Sequence, residues 1–332
     1  MIFIFRFVAP APSAQGEWRH PSLPAPQRRW QRCRRVVHAA LLRMLGLALA
    51  GTGASNALAC DGAFTTTGPA YCFLSEVGGC ANLSAFLAAH QPSFPVTLVI
   101  DEQCVLAQPL VLPGRITLAG VGRDGNGELL FPNIGLNEAA ISIAPGQGHV
   151  QIRDLLIRNN APVPRGIGLN LDGNSLITLD EVRIDGFHIG VSGRQAYSVL
   201  IDKSNISGNR YNLYLRQEAN TWRIRDTVLN QALAWGIVVR GPNNDVLIDG
   251  NRLESNQLGA IQVYSFGTVV THNRFESNGT AAQHEGVSVR ASAQDTRVLT
   301  NYFSSDIITD AGTATRCALN SNVVEPASCL WP

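Results

Sequence analysis

The chain has 332 residues, 45% of them hydrophobic and only 15% charged, which excludes wholesale disorder and supplies enough apolar material for a long core. The formal net charge of +1 hides an uneven distribution: residues 1–59 hold eight Arg and one Glu, a balance of +7, while residues 60–332 hold 17 Arg, one Lys and 24 Asp or Glu, a balance of −6. So mildly acidic a body offers no general basic surface, and no nucleic-acid partner is expected.

The first expected element is a leader over residues 1–59. Residues 28–35 are strongly basic, residues 44–54 are apolar and small, and Ala57-Leu58-Ala59 precedes Cys60. A charged start, an apolar middle and an A-x-A end predict a secretory signal peptide cleaved after Ala59. The apolar run is too short to span a bilayer, so no transmembrane segment is expected and the protein should be secreted or periplasmic. Residues 1–30, rich in Pro, Ala and Arg, read as translated upstream sequence or as a disordered leader. Six cysteines follow the leader: Cys60, Cys72, Cys80, Cys104, Cys317 and Cys329. An even number in an exported chain predicts disulfides, with four cysteines near one end of the fold and two near the other. Cys317 and Cys329 stand together and form the natural pair.

Residues 60–95 read as an N-terminal cap. Within it Asn82–His90 predicts a short helix, with Asn82 at its N-cap and Leu83, Phe86 and Leu87 on one apolar face. Strands are expected near 97–100, 116–118 and 141–143. From residue 150 the chain repeats itself with a period of 22 to 28 residues. One apolar column recurs at Ile152, Leu179, Ile201, Ile224, Ile248, Val270 and Val298, and a second at Ile167, Ile189, Leu213, Ile237, Ile261 and Val287. Between the columns apolar and polar residues alternate with the period of a strand. A single coil cannot bury its apolar face, but stacked coils bury a continuous core, the logic of a solenoid. The solenoid should span 96–310, with a C-terminal cap over 311–332.

The runs I-x-x-N-x-[LF]-x-x-N-x-x-x-G-I-x-V, clearest in residues 248–263, resemble the right-handed β-helix repeats of the pectate-lyase-like superfamily. The resemblance covers roughly residues 110–310 and implies an all-β, right-handed parallel β-helix, here with a short capping helix. It does not select an activity, because this fold carries lyases, hydrolases, epimerases and non-catalytic adhesins.

Several polar columns read as structural. Asn251, Asn273 and Asn301 recur at one turn position, and Asn160, Asn209, Asn256 and Asn278 at another; asparagines stacked at about 4.8 Å per coil can bond along the stack. Asp180, Asp202, Arg225 and Asp249 form a third column. Stacked carboxylates could hold calcium, but Arg225 within the column favours an exposed ladder, and no cofactor is expected. Phe187, Tyr211 and Trp235 read as equivalent positions, either a sugar-stacking platform or an aromatic stack at the core margin.

The sharper signal lies on the strand that follows each Gly-Ile pair. Its last outward position reads Asn170, Ser192, Arg216, Arg240, Tyr264 and Arg290, and the one before it Gly168, Gly190, Tyr214, Val238, Gln262 and Ser288. Arginine pairs bidentately with carboxylate or sulfate and tyrosine stacks on sugar rings. This face is therefore expected to bind an anionic polysaccharide, with Tyr214, Arg216, Gln262 and Arg290 as binding residues. If the protein cleaves its ligand, Arg240 and Tyr264 are the catalytic candidates: the arginine neutralises a uronate carboxylate and the tyrosine acts as base or acid. His188, His272 and His284 are spare acid–base candidates. A hydrolase fits less well, because Asp172, Glu218 and Glu285 fall in different coils. The alternative is a non-catalytic surface or envelope protein, an adhesin or structural spacer; on either reading a monomer is expected.

Overall fold

Alternating apolar residues give each coil three short strands separated by sharp corners, as in Tyr197–Asp202, Asn205–Ser207 and Tyr211–Arg216. The computed structural model describes residues 70–89, 95–121, 127–280 and 282–329. The expected leader and Cys60 lie outside them. Strands of successive coils pair in parallel and build three sheets. Among the described residues sheet A has eleven strands, from Ala70–Phe73 to Arg316–Ala318. Sheet B has nine, from Gln103–Val105 to Tyr302–Phe303, and sheet C nine, from Leu110–Leu112 to Ile307–Asp310.

The corners are made by backbone conformation more than by residue type. Between sheets A and B every coil from residue 154 onward turns on a residue with positive φ: Asp154, Glu181, Lys203, Asp226, Gly250, His272, Thr300 and Leu319. For most of these side chains the left-handed region costs about 1–2 kcal/mol. The stacking offsets that cost, because the corner amides from Asp154 to Thr300 each find a carbonyl in the next coil: Lys203 N–H donates to Arg225 O at 3.3 Å and Thr300 N–H to Ala318 O at 2.9 Å.

Inside, the column from Ile152 to Val298 stacks in register as the spacing predicts. The second column needs a correction. Leu213 pairs with Val191, whereas Ile189 pairs with Tyr211. The inward column of sheet C is therefore Ile141, Leu169, Val191, Leu213, Ile237, Ile261 and Val287. Ile189 and Val191 are both aliphatic and two residues apart, so apolarity alone does not fix the register against a two-residue slip. One rung lacks a side chain. Gly193 stacks on Leu215, and the fully buried Trp222 fills its space, with indole Nε1 donating to Ala196 O at 3.0 Å.

Asparagines run up two of the corners. Asn251, Asn273, Asn301 and Asn320 each receive a side-chain bond from the coil before or pass one to the coil after, at 2.9–3.1 Å. The second ladder runs through Asn209, Asn256 and Asn278, with Ala232 between the first two. Asn160 is not part of it: it is exposed, and the buried Asn159 beside it bonds within its own loop, to Arg165 O at 3.2 Å.

The ends are closed differently. Helix Leu83–Ala89 buries Leu83, Phe86 and Leu87, as its apolar face predicts. Cys72 stacks on Leu98, Cys104 on Leu129 and Cys317 on Val298, so buried cysteines occupy terminal rungs of core columns. Cys104 is bonded to Cys80 and Cys317 to Cys329, with Cα–Cα distances of 5.4 and 5.3 Å. Cys72 is disulfide-bonded too. Disulfides of this kind belong to an oxidising compartment rather than the cytosol. Among the described residues no helix is long and apolar enough to cross a membrane.

Candidate functional site

The outer face of sheet C carries the arginine line. Arg216 pairs with Arg240 in register. Tyr264 N–H donates to Val239 O at 2.8 Å and Arg290 N–H to Val263 O at 2.9 Å, which sets Tyr264 and Arg290 on the next two rungs. The two-residue slip has a consequence here as well. Arg194, not Ser192, stacks on Arg216, and Ser192 stacks on Tyr214, with Asn170 one coil further back. The line thus begins one arginine earlier than the spacing suggests, and Arg194 is the residue that the sequence reading missed.

Asp172 heads the line. Its Oδ1 accepts the Arg194 backbone N–H at 2.8 Å, and its Oδ2 lies 3.5 Å from both Arg194 and Arg216. Two guanidiniums thus share one carboxylate. Arg240 forms no ion pair among the described residues. Its Nη1 donates to the Tyr214 hydroxyl at 3.4 Å, and its guanidinium lies over the Tyr264 ring, 5.6 Å from the centroid. The bond to Tyr214 raises the Arg240 pKa above the ordinary arginine value, so this cation persists at any working pH.

Beyond Arg240 the face changes character. With the Gln262 amide oriented to satisfy its neighbours, its Oε1 accepts from Arg290 Nε and Nη2 at 3.2 and 2.8 Å, and its Nε2 donates to the Tyr264 hydroxyl at 3.3 Å. Arg290 also faces Glu285 Oε2 at 3.8 Å. Glu285 is 8% exposed, and its Oε1 accepts from Gln283 at 2.9 Å, Thr309 at 3.2 Å and Ser288 at 3.4 Å. The Arg290 guanidinium covers the Trp235 ring at 5.7 Å from its centroid.

The aromatics here form a second apolar cluster outside the solenoid core. Trp235, Ala234 and Val238 are buried, with Tyr211, Tyr214 and Tyr264 partly exposed around them. Trp235 can lie down because Gly259 has no side chain: a Cβ there would meet the indole at 2.3 Å. Phe187 is not equivalent to Tyr211; it is fully buried in the main core, and Ile189 holds the matching position.

The spare histidines do not gather on the line. His188 packs against Tyr211, with ring centroids 5.8 Å apart, and burial, aided by Arg210, lowers its pKa. His272 sits at an A–B corner, 2.9 Å from Asp249, and His284 Nδ1 is buried without a partner. Of the acids, Glu218 meets the Tyr197 hydroxyl at 3.4 Å. The Asp180–Asp202–Arg225–Asp249 column is in register, and Arg225 pairs with Asp202 at 2.9 Å. A shallow depression of about 860 Å³ on sheet A includes Arg223, Arg225 and Asp249. Its two arginines are paired, Arg223 with Asp245 and Arg225 with Asp202, both at 2.9 Å, so it offers less to an anion than the sheet C face does.

Comparison with known proteins bears on this face only through the fold. A family model described as a right-handed β-helix region matches residues 139–322. No curated protein sequence matches the chain. Among solved structures, DFA-IIIase from Arthrobacter chlorophenolicus A6 in complex with GF2 aligns with a TM-score of 0.56 at 13% identity, covering 75% of this chain and 78% of that one. An alginate lyase from Paenibacillus sp. str. FPU-7 aligns with a TM-score of 0.51 at 14% identity, covering 75% of this chain and all of that one.

Proposed function

The chain belongs to the right-handed β-helix family, and from that premise we propose that it is an exported protein whose sheet C face binds an acidic polysaccharide lying along the stack. The observation that carries this reading is the in-register line of Arg194, Arg216, Arg240, Tyr264 and Arg290 on the outside of a net-acidic body, with Tyr214 and Gln262 beside it. Arginine forks match the flat carboxylate or sulfate of such a polymer, partly exposed tyrosines meet the apolar faces of sugar rings, and a line along the axis suits an elongated ligand. The names of the structural neighbours support carbohydrate as the ligand class.

A second reading, uronate cleavage, is favoured by one contact. The Arg240 guanidinium and the Tyr214 hydroxyl are adjacent, which sets a carboxylate neutraliser beside an acid–base group. In such an elimination the C5 proton leaves to a base, the C4–O bond breaks, the leaving oxygen is protonated and an unsaturated uronate remains. Tyr214 then shares with Tyr264 the role first expected of Tyr264 alone.

The test is to incubate the protein with pectate, alginate, hyaluronan and chondroitin sulfate, with and without calcium, and to record both binding and ultraviolet absorbance from unsaturated uronates. Binding to at least one polymer, weakened about tenfold or more by Arg240→Ala, is the expected result. Rising absorbance that is lost in Arg240→Ala, Tyr214→Phe or Tyr264→Phe adds the lyase reading. Binding without absorbance removes the lyase reading and keeps the binding one. Failure to bind any of the polymers overturns the proposal.

A further inference from the structure

The charge on the sheet C face is not spread evenly along the line. At the Asp172 end, Arg194 and Arg216 share a single carboxylate, which leaves one positive charge uncompensated. Arg240, on the next rung, adds a second, since it bonds only to tyrosine. Past Arg240 the excess ends. Tyr264 and Gln262 are neutral, and Arg290 is answered by Glu285 and occupied by Gln262. This second half presents the partly exposed Gln262 and Tyr264, while the hydroxyls of the buried Ser288 and of Thr309 hold the Glu285 carboxylate in place.

Successive rungs lie about 4.8 Å apart, comparable to the length of one sugar residue. An anionic sugar at Arg240, with Tyr214 and Arg216 on the rung before, therefore has its neighbour over Tyr264 and Gln262 on the rung after. A second anionic group there would find no free guanidinium and would approach the Glu285 carboxylate. Like charges brought together at a partly desolvated surface select strongly against the wrong ligand.

We propose that the face is bipartite, with an anion seat at Arg240, flanked by Arg216, and a neutral-sugar seat at Gln262 and Tyr264, and that its ligand is a glycan in which an acidic sugar adjoins a neutral one rather than a polymer acidic at every residue. This rests on the reading that the face binds acidic glycans, and narrows it. Carboxylate and sulfate both suit the anion seat.

The experiment compares oligosaccharides of equal length by calorimetry at one ionic strength: hyaluronan, with a carboxylate on alternate sugars; chondroitin sulfate, which adds a sulfate to the other sugar; and polygalacturonate, with a carboxylate on every sugar. Hyaluronan is expected to bind about tenfold more tightly than polygalacturonate. Chondroitin sulfate probes the second seat: if it binds as hyaluronan does, that seat tolerates sulfate and the proposal falls. Arg240→Ala should weaken hyaluronan and polygalacturonate alike. Gln262→Lys, which places a cation in the neutral seat, should improve polygalacturonate and erase the preference, a gain that misfolding cannot imitate. Polygalacturonate binding as tightly as hyaluronan to the unmodified protein overturns the bipartite proposal while leaving acidic-glycan binding intact. Binding of none of the three, or binding indifferent to Arg240→Ala, overturns the underlying reading as well.

Discussion

At Gly193 the absence of a side chain is a packing device. A Cβ there would stand 2.3 Å from Trp222 Cζ2, too close for any rotamer adjustment of a fully buried indole to be cheap. Gly193→Ala should destabilise the protein by about 1–3 kcal/mol, the usual cost of overpacking. Urea unfolding midpoints measure it. A Gly193→Ala, Trp222→Leu double variant should recover part of the loss, because the two positions share one space; strictly additive effects would refute that coupling. The same pair shows why residue-level reading of the sequence stopped short. Gly193 lies in a run, Ile189-Gly-Val-Ser-Gly-Arg194, whose apolar residues allow two registers. Only the coil partners decide between them, and the decision moved Arg194 into the arginine line and Ser192 out of it. Trp235, expected in a sugar-stacking platform or at the core margin, packs in a separate cluster outside the solenoid core, where Gly259 leaves it room.

Among the elements, the asparagine ladders were legible, because identical residues recurring at one turn position have few other uses. What periodicity did not show is how a ladder ends. Asn278 donates its backbone N–H at 2.8 Å and its Nδ2 at 2.6 Å to Asp306, a carboxylate that is 2% exposed and takes the place of a further asparagine. Burial raises the Asp306 pKa, against the opposing bonds from Asn278. An acid with a raised folded pKa contributes most stability below its unfolded pKa, and loses that contribution as pH rises through the folded value. Asp306→Asn keeps the shape and removes the charge. At pH 7 the variant should match or exceed the parent by about 1 kcal/mol, on the scale of one hydrogen bond, with the difference shrinking as acid protonates Asp306. Unfolding midpoints across pH 4–8 decide it. A variant clearly weaker than the parent at pH 7 would mean that Asn278 needs a charged acceptor. The A–B corners show the opposite limit of legibility. Lys203 and Thr300 adopt positive φ although neither favours it, because the hydrogen-bond ladder and not the residue sets the conformation.

In the whole molecule, stability is a sum over coils and their interfaces. A terminal rung has one neighbour, so such a stack tends to fray from its ends. Cys72, Cys104 and Cys317 sit at those ends, and the sequence already marked them by their position outside the repeats. Each disulfide is worth about 2–4 kcal/mol in a typical domain. Reduction should therefore lower amide protection first near 96–105 and 316–318, with the coils between 176 and 267 least affected. Hydrogen exchange followed by mass spectrometry reads this directly, and uniform loss of protection along the chain would contradict it. The overall architecture was readable because one pattern recurs many times over, whereas the candidate site depends on single residues and their exact partners.

The one-coil, one-position register of sheet C has a last consequence. Each turn of the stack contributes one outward residue to the line, so the length of ligand engaged is fixed by the number of turns rather than by the shape of a cleft. The face behaves as a ruler graduated in coils. Duplication of a single 22-residue segment such as 246–267 would add one graduation and leave the spacing of the others unchanged, so a protein built this way can lengthen its grip on a polymer by copying what it already has.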